Sequence, residues 1–353
     1  MTTKKDFKSI VRDRQRKTGE SYTAALAHVQ RERARLLGVP EEVSTAPPAP
    51  ARVEAAVLKV GHKSTARIRV LGEHEQITLR SRDVWRLAPG QIITLRIEKR
   101  WTFRGDAYAS GKIEAATVDI ARLGLDPLPL RGGELADLRD RYENVRAPDP
   151  YAPIWLANTA EPRACYEMHG IAWGAFPDDD PFEGGPTVEA VELAEAGDRI
   201  GAHELLMNTL ARDLRCLDAH AHLGNLEFDR NPEQALIHFE IGKLIGESFL
   251  PDGFDGVLLW SSLYNRPYLR CLHGYGLCLW RLGRTDEAIT AFERILALNP
   301  NDNQGAWFCL LDVRAGISWE AMHVREEREE ARRRKAAQRA RKRLLRSDDS
   351  HVN

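Results

Sequence analysis

Histidines and acidic residues at helical spacing would be the first sign of a metal site or of acid–base catalysis in this chain. His203 and Glu204 begin the HExxH pattern, in which two histidines one helical turn apart bind zinc, but Met207 stands where the second histidine belongs. His220 and His222 are two residues apart, which on a helix directs them to different faces. We therefore predict no metal, no cofactor and no catalytic residue, and we expect that the chain is not an enzyme.

The cysteines point away from disulfide and redox chemistry. There are five of them, an odd number, and none forms a CxxC pair. Such a set is typical of a protein kept in a reducing compartment, so we expect a cytoplasmic location. Cys271 and Cys278 are seven residues apart and share one face of a helix, where they are expected to pack as small apolar groups.

Nucleic-acid binding is indicated where aromatic and basic residues are interleaved. The residues concerned are Lys99, Arg100, Trp101, Phe103, Arg104 and Tyr108. Rings stack on bases and cations neutralise phosphates, so Lys99, Arg100, Trp101 and Arg104 are candidate contacts for a single strand. The alternative interpretation is that the rings belong to a core and the arginines are solvated.

The formal net charge of −1 hides a strong asymmetry. Residues 1–38 carry ten bases and four acids (net +6), residues 149–260 carry 21 acids and six bases (net −15), and residues 324–346 carry eleven bases and four acids (net +7). Opposite blocks attract each other within one molecule or between two, although solvated faces are the simpler interpretation. No apolar run approaches the roughly 18–20 residues of a membrane helix, and the amino terminus lacks the apolar core of a secretory signal.

The first 120 residues divide into three predicted segments. Residues 1–38 have two apolar stripes at helical spacing around Thr18-Gly19, which predicts a basic helical hairpin that docks on something or dimerises. Residues 39–51 form a Pro/Ala linker that we expect to be extended and mobile. Residues 52–120 alternate apolar and polar side chains, which predicts four to six short strands in a small β-barrel, either SH3-like or OB-like. The Pro-rich residues 121–185 are expected to connect irregularly, with one helix near Glu134–Tyr142.

Helical repeats are predicted over residues 186–325. The clearest unit, residues 269–302, places its first-helix apolar residues at Leu272, Tyr275, Gly276 and Leu279. Gly283 allows a turn, the second helix carries Ala288, Phe292 and Ile295, and Pro300 ends it. The small residues Gly276 and Ala288 let two helix axes approach closely. Weaker copies are predicted at residues 187–214, 217–245 and 303–325.

This spacing resembles the tetratricopeptide repeat (TPR) family at nearly every signature position. The resemblance implies antiparallel helix pairs that stack, and a protein or peptide partner bound in the groove lined by the first helix of each pair. Carried onto this chain, the partner-binding residues are Asn225, Arg270, His273, Leu277, Trp280, Arg281 and Trp307. The same face would include Asp218, Ala221, Phe228 and Asp229. Ala221 and Gly274 occupy positions that are basic in the family's carboxylate clamps, which argues against that mode of binding.

Two further segments bear on binding. The insertion at residues 246–267 is too apolar for a free loop, so we expect it to fold back on the stack, either sealing the groove or shaping a pocket. Residues 326–353 are predicted to be a basic helical tail. It is either a solvated extension or an electrostatic contact for nucleic acid or an acidic protein, with Arg333 and Arg334 as candidate contacts.

Together these observations predict a multidomain α+β protein with a helical hairpin, a small β-barrel and a C-terminal all-α TPR-like stack. The predicted function is a non-catalytic cytoplasmic scaffold that binds a protein or peptide partner in the groove. The alternative is a nucleic-acid-binding or ribonucleoprotein-associated protein that uses the basic ends and the barrel.

Overall fold

A computed structural model describes residues 10–14, 16–17, 25, 28–29, 52–61, 64–138, 152–177 and 185–349. The chain divides into two compact units, Met1–Ala51 and Arg52–Asn353. In the first unit, Val11, Ala25 and Val29 are buried together. The remainder of the predicted hairpin and the whole predicted linker lie outside the described residues.

The second unit begins with a closed barrel of five strands. They are β1 (Arg52–Gly61), β2 (Thr65–Val70), β3 (Gln76–Arg80), β4 (Gln91–Phe103) and β5 (Asp106–Val118). The strand order is β1-β2-β3-β5-β4, with β4 returning to pair with β1. Alternate residues point inward, so Ile68, Leu79, Ile93 and Leu95 are buried, which confirms the predicted barrel. The β3–β5 pair is parallel, which favours the OB-like alternative over the all-antiparallel SH3-like one.

The β4–β5 hairpin is the longest in the barrel, and a two-residue turn closes it. Arg104 and Gly105 both have positive φ, 55° and 90°, which matches the right-handed twist of the flanking strands. The ladder continues from Gln91 opposite Val118 to Phe103 opposite Asp106. The hairpin tip therefore extends as a paired ribbon from the closed part of the barrel.

The segment between barrel and stack is more regular than its sequence suggests. It holds β6 (Arg131–Ala136), helix α1 (Ala152–Thr159), β7 (Arg163–Glu167) and a 3-10 turn at Gly170–Trp173. β6 pairs antiparallel with β7, so residues 134–136, where a helix was expected, form a strand instead. This pairing joins residues about 30 positions apart in the chain, and neither strand alone has a clear alternation.

Four helix pairs follow, at the positions of the four predicted units. They are α2 (Pro186–Glu195) with α3 (Arg199–Arg212), α4 (Leu217–Phe228) with α5 (Pro232–Glu247), α6 (Arg266–Arg281) with α7 (Thr285–Leu298), and α8 (Ala306–Arg314) with α9 (Trp319–Asp349). Polar caps and prolines mark several starts: Asp198 accepts from the Gly201 amide, and Asn231 from the Gln234 amide before α5. Among the described helices, none is both long and apolar enough to cross a membrane.

Barrel and stack both contribute to one hydrophobic cluster at their junction. Ala56 of β1 and Ile92 of β4 are buried with Leu206 and Leu210 of α3. At Gly90, just before β4, an added Cβ atom would lie 2.7 Å from Cγ2 of Ile241 on α5. The side chain of Gln234 donates a hydrogen bond to the Leu87 carbonyl at 3.2 Å, and Lys59 donates one to the side chain of Asn208. These contacts place both parts in the compact unit Arg52–Asn353.

Candidate partner-binding groove

Glycines that pack against aromatic rings set the spacing between helices. A Cβ atom at Gly276 would lie 2.8 Å from Cε1 of Phe292, and one at Gly224 would lie 2.6 Å from Cζ of Phe239. Gly276, Ala288 and Phe292 are all buried at the α6–α7 contact, as the sequence predicts. The same glycine–phenylalanine contact in two successive pairs holds each first helix against its second helix, and the first helices α4 and α6 line the candidate groove.

The middle of the groove is occupied by a network of charged side chains. Asp218 is only 2% exposed, and its carboxylate lies 2.6 Å from Nη1 of Arg270 and 3.5 Å from Nε2 of His222. The guanidinium of Arg270 lies 5.7 Å from the ring centre of Trp260. Burial alone would raise the pKa of the Asp218 carboxyl, but hydrogen bonds and charges from His222 and Arg270 together hold it below its usual value. Arg270, a predicted partner contact, is thus already paired inside the chain.

His273, the next predicted contact on α6, is enclosed. Its Nε2 is buried and has no hydrogen-bond partner among the described residues, while its ring lies 6.0 Å from that of Phe292. Burial lowers the pKa of this imidazole to about 4, so it is neutral at pH 7. Leu277, one turn further on, is half-buried against the main core. Neither side chain presents a polar group to a ligand.

Helix α9 closes the C-terminal end of the groove. Trp280 is 5% exposed, its indole N–H donates to the Ile317 carbonyl at 2.9 Å, and its ring meets that of Trp319 at 5.2 Å. Arg281 donates to the carbonyls of Phe228 and Asp229. Trp280 therefore joins the last helix pair to the stack, and Arg281 joins α6 to the end of α4. The sequence did not predict that Trp319 covers Trp280, because this contact depends on where the first turn of α9 crosses α6.

Trp307, the last predicted contact, lies on α8. It is half-buried, and its ring is 5.0 Å from that of Phe308, which is 55% exposed.

An open part of the groove remains between the first two pairs. A cavity of about 340 Å³ lies there, lined by Ala190, Val191, Ala194, Glu195, Leu206, His222, Asn225 and Leu226. Of the predicted groove residues only Asn225, which is exposed, lines it. The residues of α2 and α3 were missed because the first pair departs most from the repeat spacing, so its positions could not be carried over with the same detail. His222 and Leu226, on α4, are not among the groove positions that the resemblance carried over.

The insertion folds back, as predicted, but away from Trp280. Val257 and Leu258 are buried; the Val257 amide donates to the Ala164 carbonyl, and the Leu258 amide to the Leu298 carbonyl, both at 2.8 Å. Phe254 packs against Tyr166 with 5.3 Å between ring centres. Trp260 lies beside Arg270 in the groove, so the insertion shapes one wall there.

The candidate nucleic-acid residues form two separate groups. Lys99, Arg100 and Arg104 are exposed on the β4–β5 hairpin, with Trp101 half-buried among them. Arg333 and Arg334 are exposed on α9, where Arg334 lies 2.5 Å from the carboxylate of Glu330. The structure brings the first group together in the barrel and the second on the tail.

Metal-binding and nucleophilic groups are sparse in the described part of the chain. No group of three or more His, Cys, Asp or Glu side chains there could hold a metal ion. Burial raises the pKa of the Cys216 and Cys271 thiols well above the usual value, so both remain protonated at neutral pH.

Comparison with known proteins agrees with the geometry of the stack. A family model described as Tetratricopeptide repeat matches residues 269–302, which cover most of α6, all of α7 and the turn that follows each helix. No curated protein and no solved structure matches the chain. The C-terminal half of this protein is therefore a TPR-like stack of helix pairs, built around one repeat that the family model matches directly.

Proposed function

We propose that this protein is a non-catalytic cytoplasmic scaffold that binds a protein or peptide partner in the open part of its groove. The observation that carries the proposal is the cavity between α2 and α4, on the face formed by the first helices of the pairs. TPR domains generally bind protein partners, and the chain leaves this part of that face uncovered. A cytoplasmic location is supported by the cysteines, which are odd in number and include no CxxC pair.

The lining of the cavity suits a peptide side chain and its backbone. Ala190, Ala194 and Leu206 give an apolar floor, while Asn225 and Glu195 supply polar groups at the rim. A volume of about 340 Å³ is within the usual range of ligand pockets. The amide of Asn225 both donates and accepts hydrogen bonds, as recognition of a peptide backbone requires.

The experiment that tests this proposal fills the cavity. Ala194→Trp should block it, and Ala211→Trp, on the exposed face of α3, is the matched control. Affinity purification from the native host, compared by quantitative mass spectrometry, should show partners that are lost with Ala194→Trp and kept with Ala211→Trp. If the two variants capture the same proteins as the unchanged chain, the groove is not the binding site.

A second candidate function, association with nucleic acid, is favoured by α9. All described side chains from His323 to Arg339 are exposed, and the contacts that the described part of the helix makes with the stack lie near its start, through Trp319, Met322 and the ion pair of Arg325 with Asp312. Residues 324–346 carry a net charge of +7. Binding by such a helix would be electrostatic, so affinity should fall steeply with salt. Replacing Arg333 and Arg334 by Gln should reduce the slope of log affinity against log salt by about 1–2.

A further inference from the structure

Three aromatic rings are gathered at the tip of the β4–β5 hairpin. Trp101 lies directly opposite Tyr108 in the ladder, and their rings are stacked with 5.6 Å between centres and 13° between planes. Phe103 meets Tyr108 edge-on at 6.4 Å and is 56% exposed. Trp101 and Tyr108 are half-buried, so these rings lie outside the closed core of the barrel.

A cation from a different strand completes this cluster. The parallel β3–β5 pair sets Thr78 opposite Tyr108 and Arg80 opposite Ser110. The exposed guanidinium of Arg80 consequently lies 5.7 Å from the ring centre of Trp101 and 5.5 Å from that of Tyr108. Arg80 could not be predicted from the sequence, because about 20 residues separate it from the aromatic hairpin and only the strand order brings them together.

The surroundings of the rings are positively charged. Lys99 lies 6.0 Å from the ring centre of Trp101, and Arg104 lies 5.3 Å from that of Phe103. Residues 80–106 contain seven basic and three acidic side chains, a net charge of +4. The barrel residues that pack on the helical stack, such as Ala56 and Ile92, are separate from this cluster. The rings and cations are thus on a part of the barrel that the stack does not use.

The geometry points to a binding platform for single-stranded nucleic acid, formed by Arg80, Trp101, Phe103 and Tyr108 with Lys99 and Arg104 at its edge. The inference rests on the second candidate function and gives it a specific ligand and site. A base in a single strand has an open face that stacks on a ring, whereas both faces of a paired base are covered by its neighbours. The cations supply phosphate contacts that are independent of sequence. The platform therefore selects single strands over duplex, with little preference for sequence.

The test uses the full chain and a fluorescein-labelled 16-nucleotide strand of mixed sequence, as RNA, as DNA and as the corresponding DNA duplex. Fluorescence anisotropy should show tighter binding of the single strands. Trp101→Ala should weaken single-strand binding by about fivefold to 150-fold, the effect of losing one stacked base, and leave duplex binding unchanged. Trp101→Phe should retain most of the affinity, and Phe308→Ala, an exposed ring on α8, is the matched control.

Two further variants separate the platform from the tail. Arg80→Gln changes an exposed side chain, and it should also weaken single-strand binding selectively. A chain with Arg332, Arg333, Arg334 and Lys335 all replaced by Gln should lose duplex affinity and keep its preference for single strands. If Trp101→Ala and Arg80→Gln, with unchanged circular dichroism, both bind single strands within twofold of the original chain, the platform is refuted. Binding that then disappears with the tail variant would leave the second candidate function standing, whereas no binding to either kind of strand by the original chain would overturn both.

Discussion

Gly276 and Phe292 fit together so closely that a methyl group has no room between them. A Cβ atom at Gly276 would lie 2.8 Å from Cε1 and 3.1 Å from Cζ of the ring. Both residues are buried, and the contact joins α6 to α7 in the repeat that the family model matches. The same relationship between Gly224 and Phe239 in the preceding pair indicates that this spacing is a rule of the stack.

Removing the ring should be costly. We expect Phe292→Ala to lower the free energy of unfolding by about 3–5 kcal/mol, because a large buried side chain leaves a cavity. Gly276→Ala should also destabilise, by about 1–3 kcal/mol, since overpacking outweighs the roughly 1 kcal/mol gained in helix propensity. Urea denaturation measures both, and an unchanged midpoint for Phe292→Ala would remove the packing argument.

Trp280 was predicted from its position to bind a partner, but its surroundings now predict a different effect of mutation. Its ring packs on Trp319 and its N–H is bonded to the Ile317 carbonyl, so Trp280→Ala should destabilise the chain by about 3–5 kcal/mol. Arg314→Ala, at an exposed side chain in a surface ion pair with Glu293, should change stability by less than about 1 kcal/mol. Thermal unfolding monitored by far-ultraviolet circular dichroism compares them. Equal melting temperatures for Trp280→Ala and the original chain would show that the last pair does not depend on this contact.

The features that could be predicted from the sequence are those that depend on residues close together in the chain. The repeat at residues 269–302 was found because its signature side chains are spaced along one helix pair, and the barrel was found because its strands alternate strictly. The β6–β7 sheet, the covering of Trp280 by Trp319, and the position of Arg80 were missed. Each of these depends on residues far apart in the chain, and no local periodicity records such a pairing.

Asp218 makes the stability of the groove sensitive to acid. Its pKa is lower in the folded chain than the usual 3.8, so the folded state is favoured above that value and loses this contribution as pH falls through the folded-state pKa. We expect Asp218→Asn to lower the free energy of unfolding by about 1–3 kcal/mol at pH 7, because it weakens the bonds to Arg270 and His222. The difference in free energy of unfolding between Asp218→Asn and the original chain should become smaller as the pH approaches 3. Urea denaturation at both pH values measures it, and a difference that does not change with pH would contradict the ion-pair assignment.

Two buried histidines give the stability of the chain a second dependence on pH, at higher pH than that of Asp218. Burial lowers the pKa of both His220 and His273 to about 4, from a usual value of 6.5. The unfolded chain therefore binds more protons than the folded chain between these values, and stability is lost as pH falls from 6.5 to 4. Each histidine contributes up to about 1.4 kcal/mol per pH unit in that range.

His273→Phe isolates one of these contributions. Because Nε2 of His273 has no partner among the described residues, an apolar ring should leave stability at pH 7 unchanged or raise it by about 1–2 kcal/mol. At pH 5 the gain in free energy of unfolding should be larger, because the variant lacks the imidazole that the original chain protonates when it unfolds. His74→Phe, in an exposed turn, is the control. Parallel pH profiles of unfolding free energy for His273→Phe and the original chain would show that this imidazole is not held neutral by burial.

The hydrophobic cluster that joins barrel and stack predicts that the two parts unfold together. Gly90 has φ 96°, and any side chain there would meet Ile241 of α5 at 2.7 Å, so Gly90→Ala introduces both backbone strain and a clash at the junction. We expect it to destabilise the chain by about 1–3 kcal/mol. Gly105→Ala, at φ 90° but with open space around it, separates the effect of strain from that of the clash and should cost less.

For the original chain, near-ultraviolet and far-ultraviolet circular dichroism should give one coincident transition in urea. In Gly90→Ala the clash should lower that midpoint and, if it breaks the junction, divide the curve into a barrel step and a helix step. Two separate transitions in the original chain would mean that the contacts of Ala56, Ile92 and Gly90 with the stack are too weak to couple them.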